Sequence, residues 1–187
     1  MPAKQSKSVS ITYFVHGTTT DNERGIATGW ANGKLSALGE QQSRDLKQLI
    51  GKNHFDAIFS SDLHRAVDSA NLTFPGQKII QDQRLRECDY GSLTGGKEEK
   101  VKAAMELRIN SPFPNGESYS DVEKRMKEFV DFLRTNYAGK HIAIVAHQAP
   151  QLALEVILKG KTWQQAIAED WRRATPKQWK PGWKYET

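Results

Sequence analysis

Residues 11–22 are Ile-Thr-Tyr-Phe-Val-His-Gly-Thr-Thr-Thr-Asp-Asn, and this stretch changes character at its glycine. The β-branched and aromatic residues at its start are typical of a half-buried strand, which we expect to end at His16. Gly17 and the hydroxyl and amide side chains after it favour a turn and a helix cap. Because ligands of open α/β sheets bind outside the carboxyl ends of the strands, His16 is predicted to lie at a ligand-binding edge.

The composition limits the classes of protein to which this chain can belong. Its 187 residues contain no Ser/Gly-rich linker and suffice for one α/β domain, which we predict to span residues 1–187. No run approaches the roughly 18 apolar residues of a membrane helix, and the first residues lack the apolar stretch of a signal peptide. We therefore expect a cytoplasmic protein with no membrane partner. The single cysteine, Cys88, cannot form an internal disulfide or a thiolate metal site.

Apolar runs alternate with helical periodicities along the chain. Further strands are predicted at Phe55–Ser60, Lys78–Ile80 and His141–Ala146. Helices are predicted at Leu35–Ile50, from a Ser60-Ser61-Asp62 cap through Ala70, at Glu98–Ile109, from a capping box at Ser118 or Ser120 to Tyr137, and at Gln148–Leu158. This alternation predicts a three-layer α/β sandwich, with a largely parallel central sheet covered by helices on both faces. The strands of such a sheet would deliver His16, Arg65 and His147 to one edge.

Two histidines, an arginine and the loop carboxylate Glu87 are sufficient for phosphoryl transfer. A neutral imidazole nitrogen can attack phosphorus and hold the phosphoryl group covalently. Arg65 would clamp the oxygens and His147, if protonated, would add a charged donor. Glu87 would protonate the leaving oxygen and then accept a proton from water. Alternatively, Glu87 forms only a solvated ion pair with Arg84 or Arg86. This chemistry needs no metal or other cofactor, and the sequence offers no obvious metal-ligand cluster.

The motifs around these residues resemble those of the histidine phosphatase superfamily, also called the phosphoglycerate mutase-like family, over most of the chain. Residues 13–17 look like its Arg-His-Gly signature, and Asn22 has the expected spacing after the histidine. The other similar segments are residues 60–66, 84–91, 116–118 and 144–147. The resemblance implies a phosphohistidine intermediate on His16, with Arg65, His147 and Asn22 around the phosphoryl group and Glu87 as the proton donor.

Further residues near these motifs are candidates for binding the substrate. Together with Asn22, they are Gly17, Thr18, Thr28 and Gln148. Gln148 takes a place where glycine is common in the family, so we expect a different lining of the pocket there.

One position next to the nucleophile departs from the resemblance. The family has an arginine immediately before its nucleophilic histidine, whereas Val15 stands there in this chain. Because the spacing from His16 to Asn22 is kept, we interpret the arginine as deleted from the strand end. Losing one residue from a strand reverses side-chain directions, so we expect a bulge or an early strand end to re-aim His16. Losing one oxyanion donor typically slows catalysis by on the order of 10²–10³. Unless the enzyme is slow, another cation must replace the arginine. The candidates are Arg24, Arg86 and Lys97.

The formal charge of +5 favours an anionic partner but does not identify it. The tail from Lys159 onward combines basic residues with four of the five tryptophans, a pattern that can bind single-stranded nucleic acid. However, Thr162 and Gln165 predict a capped helix, and Pro181-Gly182 a turn that packs Trp183 and Tyr185, so nucleic acid is not the partner we expect.

The sequence therefore predicts a phosphatase that acts on a small phosphorylated metabolite. Two alternatives stay open. One is a phosphoglycerate mutase-type phosphotransferase. The other is a weakly active or non-catalytic binder of phosphate or nucleic acid that uses the basic, tryptophan-rich tail.

Overall fold

A five-stranded sheet lies at the centre of the protein. The structure, a computed structural model, describes residues 8–51, 53–174, 179 and 182–187. The strands are β1 (Ser10–Val15), β2 (Ala57–Ser60), β3 (Ile79–Gln81), β4 (His141–Ala146) and β5 (Trp183–Glu186). Their order across the sheet is β3-β2-β4-β1-β5, with the first four parallel and β5 antiparallel to β1. The predicted α/β fold with a largely parallel central sheet is confirmed.

Helices cover both faces of this sheet. They are α1 (Thr20–Glu23), α2 (Ala37–Ile50), α3 (His64–Thr73), α4 (Glu98–Ala104), α5 (Tyr119–Asn136), α6 (Gln148–Lys159), α7 (Trp163–Ala168) and α8 (Trp171–Ala174). Tyr13 and Ile144 belong to the core that contains α5 and α6, whereas Phe14 and Val145 belong to the core that contains α2 and α3. Neighbouring residues of a strand point to opposite faces, so the sheet is the middle of three layers. Among the described residues, none of the helices has the length and apolar character needed to cross a bilayer.

Capping boxes begin two helices where the sequence predicts them. Ser118 Oγ accepts a hydrogen bond from the backbone N–H of Asp121 at 3.1 Å, and Asp121 Oδ2 accepts one from the backbone N–H of Ser118 at 2.8 Å. Ser120, the alternative cap of α5, hydrogen-bonds outside the helix. Thr162 and Gln165 form a second box at the start of α7. Both boxes satisfy N–H groups that a helix leaves unpaired.

The side-chain cap predicted for α3 from residues 60–62 is wrong. Leu63 is the N-cap residue and makes no side-chain capping bond. Ser61 Oγ accepts from the backbone N–H of Leu63 at 3.1 Å, just before the helix. The carboxylate of Asp62 is engaged by the guanidinium of Arg86, with contacts of 2.7 and 2.6 Å. A charge-assisted pair of this bidentate kind competes successfully with a neutral capping bond.

The C-terminal segment packs against the rest of the protein. Trp163 is buried, and its indole N–H donates to Glu123 at 2.7 Å. Trp183 lies in β5, which pairs with β1, and Tyr185 is buried. These contacts favour the packing interpretation of the aromatic residues in the tail. The turn predicted at Pro181 lies outside the described residues.

Two glycines let the loop after β1 touch the first turn of α2. A Cβ added to Gly17 would stand 2.2 Å from the carbonyl oxygen of Gly39, and one added to Gly39 would stand 1.9 Å from that of Thr18. The carbonyl oxygen of Thr18 also accepts from the backbone N–H of Ser36 at 2.9 Å. The backbone of the loop that follows His16 therefore lies directly on the helix.

We expect Gly39→Ala to destabilise the protein, although alanine is normally better than glycine in a helix by about 1 kcal/mol. The new methyl group would overlap the carbonyl oxygen of Thr18, and overpacking typically costs about 1–3 kcal/mol. Denaturant unfolding followed by circular dichroism measures this change. The control is Gln48→Ala at an exposed position of α2, which should change the free energy of unfolding by less than about 0.5 kcal/mol. A Gly39→Ala variant as stable as the wild type would contradict this close approach.

Candidate active site

The four predicted catalytic residues converge at the carboxyl edge of the sheet. Each of them follows one of the four parallel strands. In the order of the strands across the sheet, Glu87 follows β3, Arg65 follows β2, His147 follows β4 and His16 follows β1. His16, Arg65 and Glu87 line a cavity of about 460 Å³. The ring centroids of His16 and His147 lie 5.0 Å apart. A cavity of this size suits a small molecule.

His16 leaves the sheet where β1 ends, at Val15. Pairing with β4 continues without a bulge to Val15, and the backbone N–H of His16 donates to the carbonyl oxygen of Ala146 at 3.0 Å, so the strand ends directly before the histidine. Nδ1 lies 2.7 Å from the carbonyl oxygen of Gly17. Because that oxygen can only accept, Nδ1 carries the hydrogen and Nε2 keeps a lone pair. Burial, and then the charge of Arg65, lower the pKa of His16 to about 3, so the imidazole is neutral near pH 7.

Arg65 brings a buried positive charge to the cavity. It lies in the first turn of α3 and is 2% exposed. Nη2 donates to the carbonyl oxygen of Gly29 at 2.7 Å, and Nη1 donates to that of Ala31 at 3.1 Å. Neutral carbonyls orient the guanidinium without cancelling its charge, and its remaining N–H groups can serve a further acceptor.

Glu87 is buried at the N-terminus of α6. Its Oε1 accepts from the backbone N–H groups of Cys88 at 2.8 Å and Ala149 at 3.1 Å, and its Oε2 accepts from that of Gln148 at 3.1 Å. A carboxylate oxygen has two lone pairs, so the described bonds fill Oε1 and leave one lone pair on Oε2. Oε2 is therefore the atom of Glu87 on which a proton could be carried.

The interpretation of Glu87 as a solvated ion pair with its neighbours is wrong. Arg84 and Arg86 pair instead with Asp82 and Asp62. The backbone carbonyl of Glu87 accepts from Trp30 Nε1 at 2.6 Å and from Arg125 Nη2 at 3.0 Å. These two bonds to one carbonyl oxygen fix the loop at the residue that carries the carboxylate. Trp30 and Arg125 had no role in the sequence interpretation.

His147 is fully buried and lacks a ring partner. Its backbone N–H donates to the hydroxyl of Tyr13 at 3.0 Å, and that hydroxyl donates to the carbonyl oxygen of His147 at 2.7 Å. Neither ring nitrogen has a hydrogen-bond partner among the described residues. Burial, then the charges of Arg65 and His16, hold the pKa of His147 well below its ordinary value. In the free protein, His147 is therefore a neutral donor and not the charged one considered from the sequence. A buried polar group without a partner is uncommon and points to a ligand.

Four of the five candidate substrate-binding residues line the cavity, namely Thr18, Asn22, Thr28 and Gln148. Gly17 does not, and its N–H donates to Ser69. The lining side chains form hydrogen bonds with other residues of the protein. Thr18 Oγ1 donates to Gln42 at 3.0 Å, Asn22 Oδ1 accepts from the N–H of Thr19 at 3.0 Å, and Thr28 Oγ1 donates to Asp21 at 3.0 Å. Their described bonds therefore shape the wall of the cavity.

The cavity also contains a cation that the sequence interpretation missed. Arg172, in α8, lines it beside Gln148, whereas Arg24, Arg86 and Lys97 do not line it. Arg86 is engaged by Asp62 and stacks over the ring of Trp30 at 4.7 Å, and Arg24 and Lys97 are exposed. A four-residue helix has too little periodicity to be predicted, so the only signal for Arg172 was the basic character of the tail.

The described part of the chain offers no cluster of metal-ligating residues. No group of three or more His, Cys, Asp and Glu side chains there is arranged to hold a metal ion. Cys88 is buried, and this burial raises the pKa of its thiol. Cys88 therefore packs as a small apolar residue.

Comparison with known proteins relates most of the chain to one family. The family model of the histidine phosphatase superfamily (branch 1) matches residues 13–179. Phosphoserine phosphatase 1 of Hydrogenobacter thermophilus is 28% identical over 167 residues, which cover 81% of this chain and 77% of that protein. A 2,3-bisphosphoglycerate-dependent phosphoglycerate mutase of Rhizobium rhizogenes is 28% identical over 170 residues, covering 82% and 81%.

Solved structures of similar fold are also found among phosphatases and phosphoglycerate mutases. The mycobacterial glucosyl-3-phosphoglycerate phosphatase, solved with VO3, superposes with a TM-score of 0.74 at 27% identity, covering 85% of this chain and 86% of that one. A phosphoglycerate mutase of Bacillus anthracis shares the fold, with a TM-score of 0.72 at 23% identity and 83% and 82% coverage. Since the family match spans the strands, helices and loops that form the cavity, this chain belongs to the histidine phosphatase superfamily.

Proposed function

We propose that the protein is a phosphatase that hydrolyses a small phosphomonoester through a phosphohistidine on His16, without a metal. One observation carries this proposal: a neutral imidazole with a free Nε2 lone pair, His16, lines one cavity with the buried Arg65, and the buried, unpartnered ring of His147 lies 5.0 Å from it. Membership of a superfamily that includes phosphoserine phosphatases supports it. The volume of the cavity, about 460 Å³, supports a small substrate.

In the first half-reaction, Nε2 of His16 attacks the phosphorus atom. A nitrogen–phosphorus bond forms while the bond from phosphorus to the ester oxygen breaks. The leaving oxygen takes a proton from Oε2 of Glu87. The Nδ1–H of His16, held by the carbonyl oxygen of Gly17, stabilises the positive charge that develops on the ring. Arg65 and His147 donate to the phosphoryl oxygens, where negative charge collects.

In the second half-reaction, water attacks the phosphohistidine. Glu87, now a carboxylate, takes one proton from the water, and the nitrogen–phosphorus bond breaks to release inorganic phosphate. His16 returns to its neutral form with the hydrogen on Nδ1. Val15 stands where the resemblance implies an arginine, so Arg65 cannot share the oxyanion with a residue from β1.

A mutase is the second candidate because a phosphoglycerate mutase is among the relatives of this chain. We favour the phosphatase because the segment from Glu87 to Gly116 is short, and a mutase must exclude water while it holds the phosphoryl group. Incubation with a phosphorylated donor and an acceptor alcohol separates the two. Release of inorganic phosphate supports the phosphatase, whereas transfer to the acceptor without release supports the mutase.

We expect His16→Asn to abolish phosphate release from aryl and alkyl phosphates, with a loss of kcat of roughly three orders of magnitude or more. The wild type should form an acid-labile phosphoprotein during turnover, and the variant should not. Quenched-flow trapping followed by mass spectrometry measures this species. His54→Asn is the matched control because His54 is exposed and lies outside the cavity. An active His16→Asn variant, or a phosphoryl group on another residue, would contradict the mechanism.

We expect Glu87→Gln to slow turnover by about 10²–10⁴-fold for substrates whose leaving group needs a proton. The variant keeps the shape of the side chain but carries no acidic proton. The loss should be large for alkyl phosphates and small for nitrophenyl phosphate, whose leaving oxygen is stable without one. Steady-state kinetics with both substrates measures the contrast. Equal losses for the two leaving groups would exclude Glu87 as the proton donor.

The two histidines of the site should make stability depend on pH. In the folded protein their pKa values are lowered, so both stay neutral while the unfolded chain takes up protons below about pH 6.5. Unfolding then binds protons, and the free energy of unfolding should fall from pH 6.5 to pH 5 by up to about 1.4 kcal/mol per pH unit for each histidine. Denaturant titrations at several pH values measure this slope. His16→Asn and His147→Asn should each reduce it, and His54→Asn should not.

A further inference from the structure

We infer that Arg172 is a second guanidinium ligand of the phosphoryl group, held at the cavity by Asp170 and two tryptophan rings. This inference rests on the proposed function, because it assigns a further residue to the same site.

The first observation is an unused donor. Arg172 lines the cavity together with His16 and Arg65. Its Nη2 is buried and has no hydrogen-bond partner among the described residues. Leaving a buried charged nitrogen without an acceptor is unfavourable, and an oxyanion in the cavity would remove that cost.

The second observation is that the guanidinium is fixed in place. Nη1 donates to Asp170 Oδ1 at 2.8 Å, and the backbone N–H of Arg172 donates to the same oxygen at 3.1 Å. The guanidinium carbon also lies 4.9 Å from the ring centroid of Trp171 and 5.7 Å from that of Trp183. An arginine held between an acid and aromatic faces loses little further entropy when it binds an anion.

The side chain of Gln148 extends this support to the centre of the site. Its amide donates to the other carboxylate oxygen of Asp170, and its backbone N–H donates to Glu87. Asp170 is buried, so its position is set by these bonds and not by solvent. Gln148 is therefore a positioning residue that connects Glu87, the proposed proton donor, with Asp170, which holds Arg172.

The positive charge of Arg172 acts on the ring of His16, the proposed nucleophile. Burial and Arg65 are the larger causes of the lowered pKa of His16, and Arg172 acts in the same direction. The positive field of Arg172 therefore reaches this ring. An oxyanion bonded to His16 would experience that field as attraction.

Two unpartnered buried groups thus stand near His16: the ring of His147 lies 5.0 Å from its ring, and Arg172 lines the same cavity. The ring of His147 and Nη2 of Arg172 both lack an acceptor among the residues described. A phosphoryl group has three non-bridging oxygens and could accept from Arg65, His147 and Arg172 together. Lys102 also lines the cavity, but it pairs with Glu98 at 3.1 Å and is substantially exposed.

The test compares Arg172→Met with Arg173→Met. Arg173 is an exposed neighbour, so its variant removes the same charge outside the proposed contact. Binding of inorganic phosphate and orthovanadate is measured by calorimetry, and hydrolysis of nitrophenyl phosphate by steady-state kinetics. We expect Arg172→Met to weaken phosphate and vanadate binding about tenfold or more and to lower kcat by about 10²–10³-fold. Arg173→Met should change each value less than about twofold.

A third variant and a spectroscopic measurement keep the test decisive. Arg172→Lys keeps the charge but not the forked geometry, so we expect an intermediate loss of phosphate affinity. NMR titration of the His16 ring should show a higher pKa in Arg172→Met than in the wild type, because a neighbouring cation has been removed. If Arg172→Met does not fold, unchanged phosphate affinity in Arg172→Lys overturns the inference.

The two proposals fail in different ways. A wild type that binds phosphate and releases it from esters, with a folded Arg172→Met variant that does both equally well, overturns the role of Arg172 alone. A wild type that neither binds phosphate nor hydrolyses any ester overturns the proposed function, and the role of Arg172 with it.

Discussion

The parallel pairing of β1 with β4 is the constraint on which the site depends. Val15 pairs with Ala146 at the last position of the ladder, and the backbone N–H of His16 still donates to Ala146 at 3.0 Å. Strands β1 and β4 therefore end at the same level of the sheet. Neighbouring strands lie about 4.8 Å apart, which is close to the 5.0 Å between the rings of His16 and His147. The separation of the two imidazoles thus follows from the spacing of strands in a sheet.

Most of the fold, and the convergence of the predicted catalytic residues, could be predicted from the sequence because both follow from periodicity. Strands that alternate with helices commonly run parallel, as β1 to β4 do, and parallel strands place their carboxyl ends together. His16, Arg65 and His147 each follow such a strand directly or within one turn. Glu87 was harder to place, since β3 is short and the loop after it is fixed by Trp30 and Arg125, which lie in distant segments.

The remaining features could not be predicted because they depend on contacts between residues far apart in sequence. Asp62 is a good capping residue in isolation, but Arg86 removes it from the helix. The hydroxyl of Tyr13 bridges the backbone of His147 across 134 positions, which no local pattern reveals. Arg172 reaches the cavity from a four-residue helix, so its placement depends on Asp170 and on β5 at the edge of the sheet.

The polar groups of the cavity share one arrangement, in which part of the hydrogen-bonding capacity is used to fix each group and part is left over. Arg65 is oriented by two carbonyl oxygens, Glu87 by three backbone N–H groups and Arg172 by Asp170. The donors and acceptors left over are unfavourable in the protein alone, because a buried donor or acceptor without a partner lowers stability. A protein selected for stability alone would fill these valences with its own side chains. Their retention beside a neutral imidazole is understandable if an oxyanion completes them, since groups that are already oriented need little rearrangement when charge develops on it.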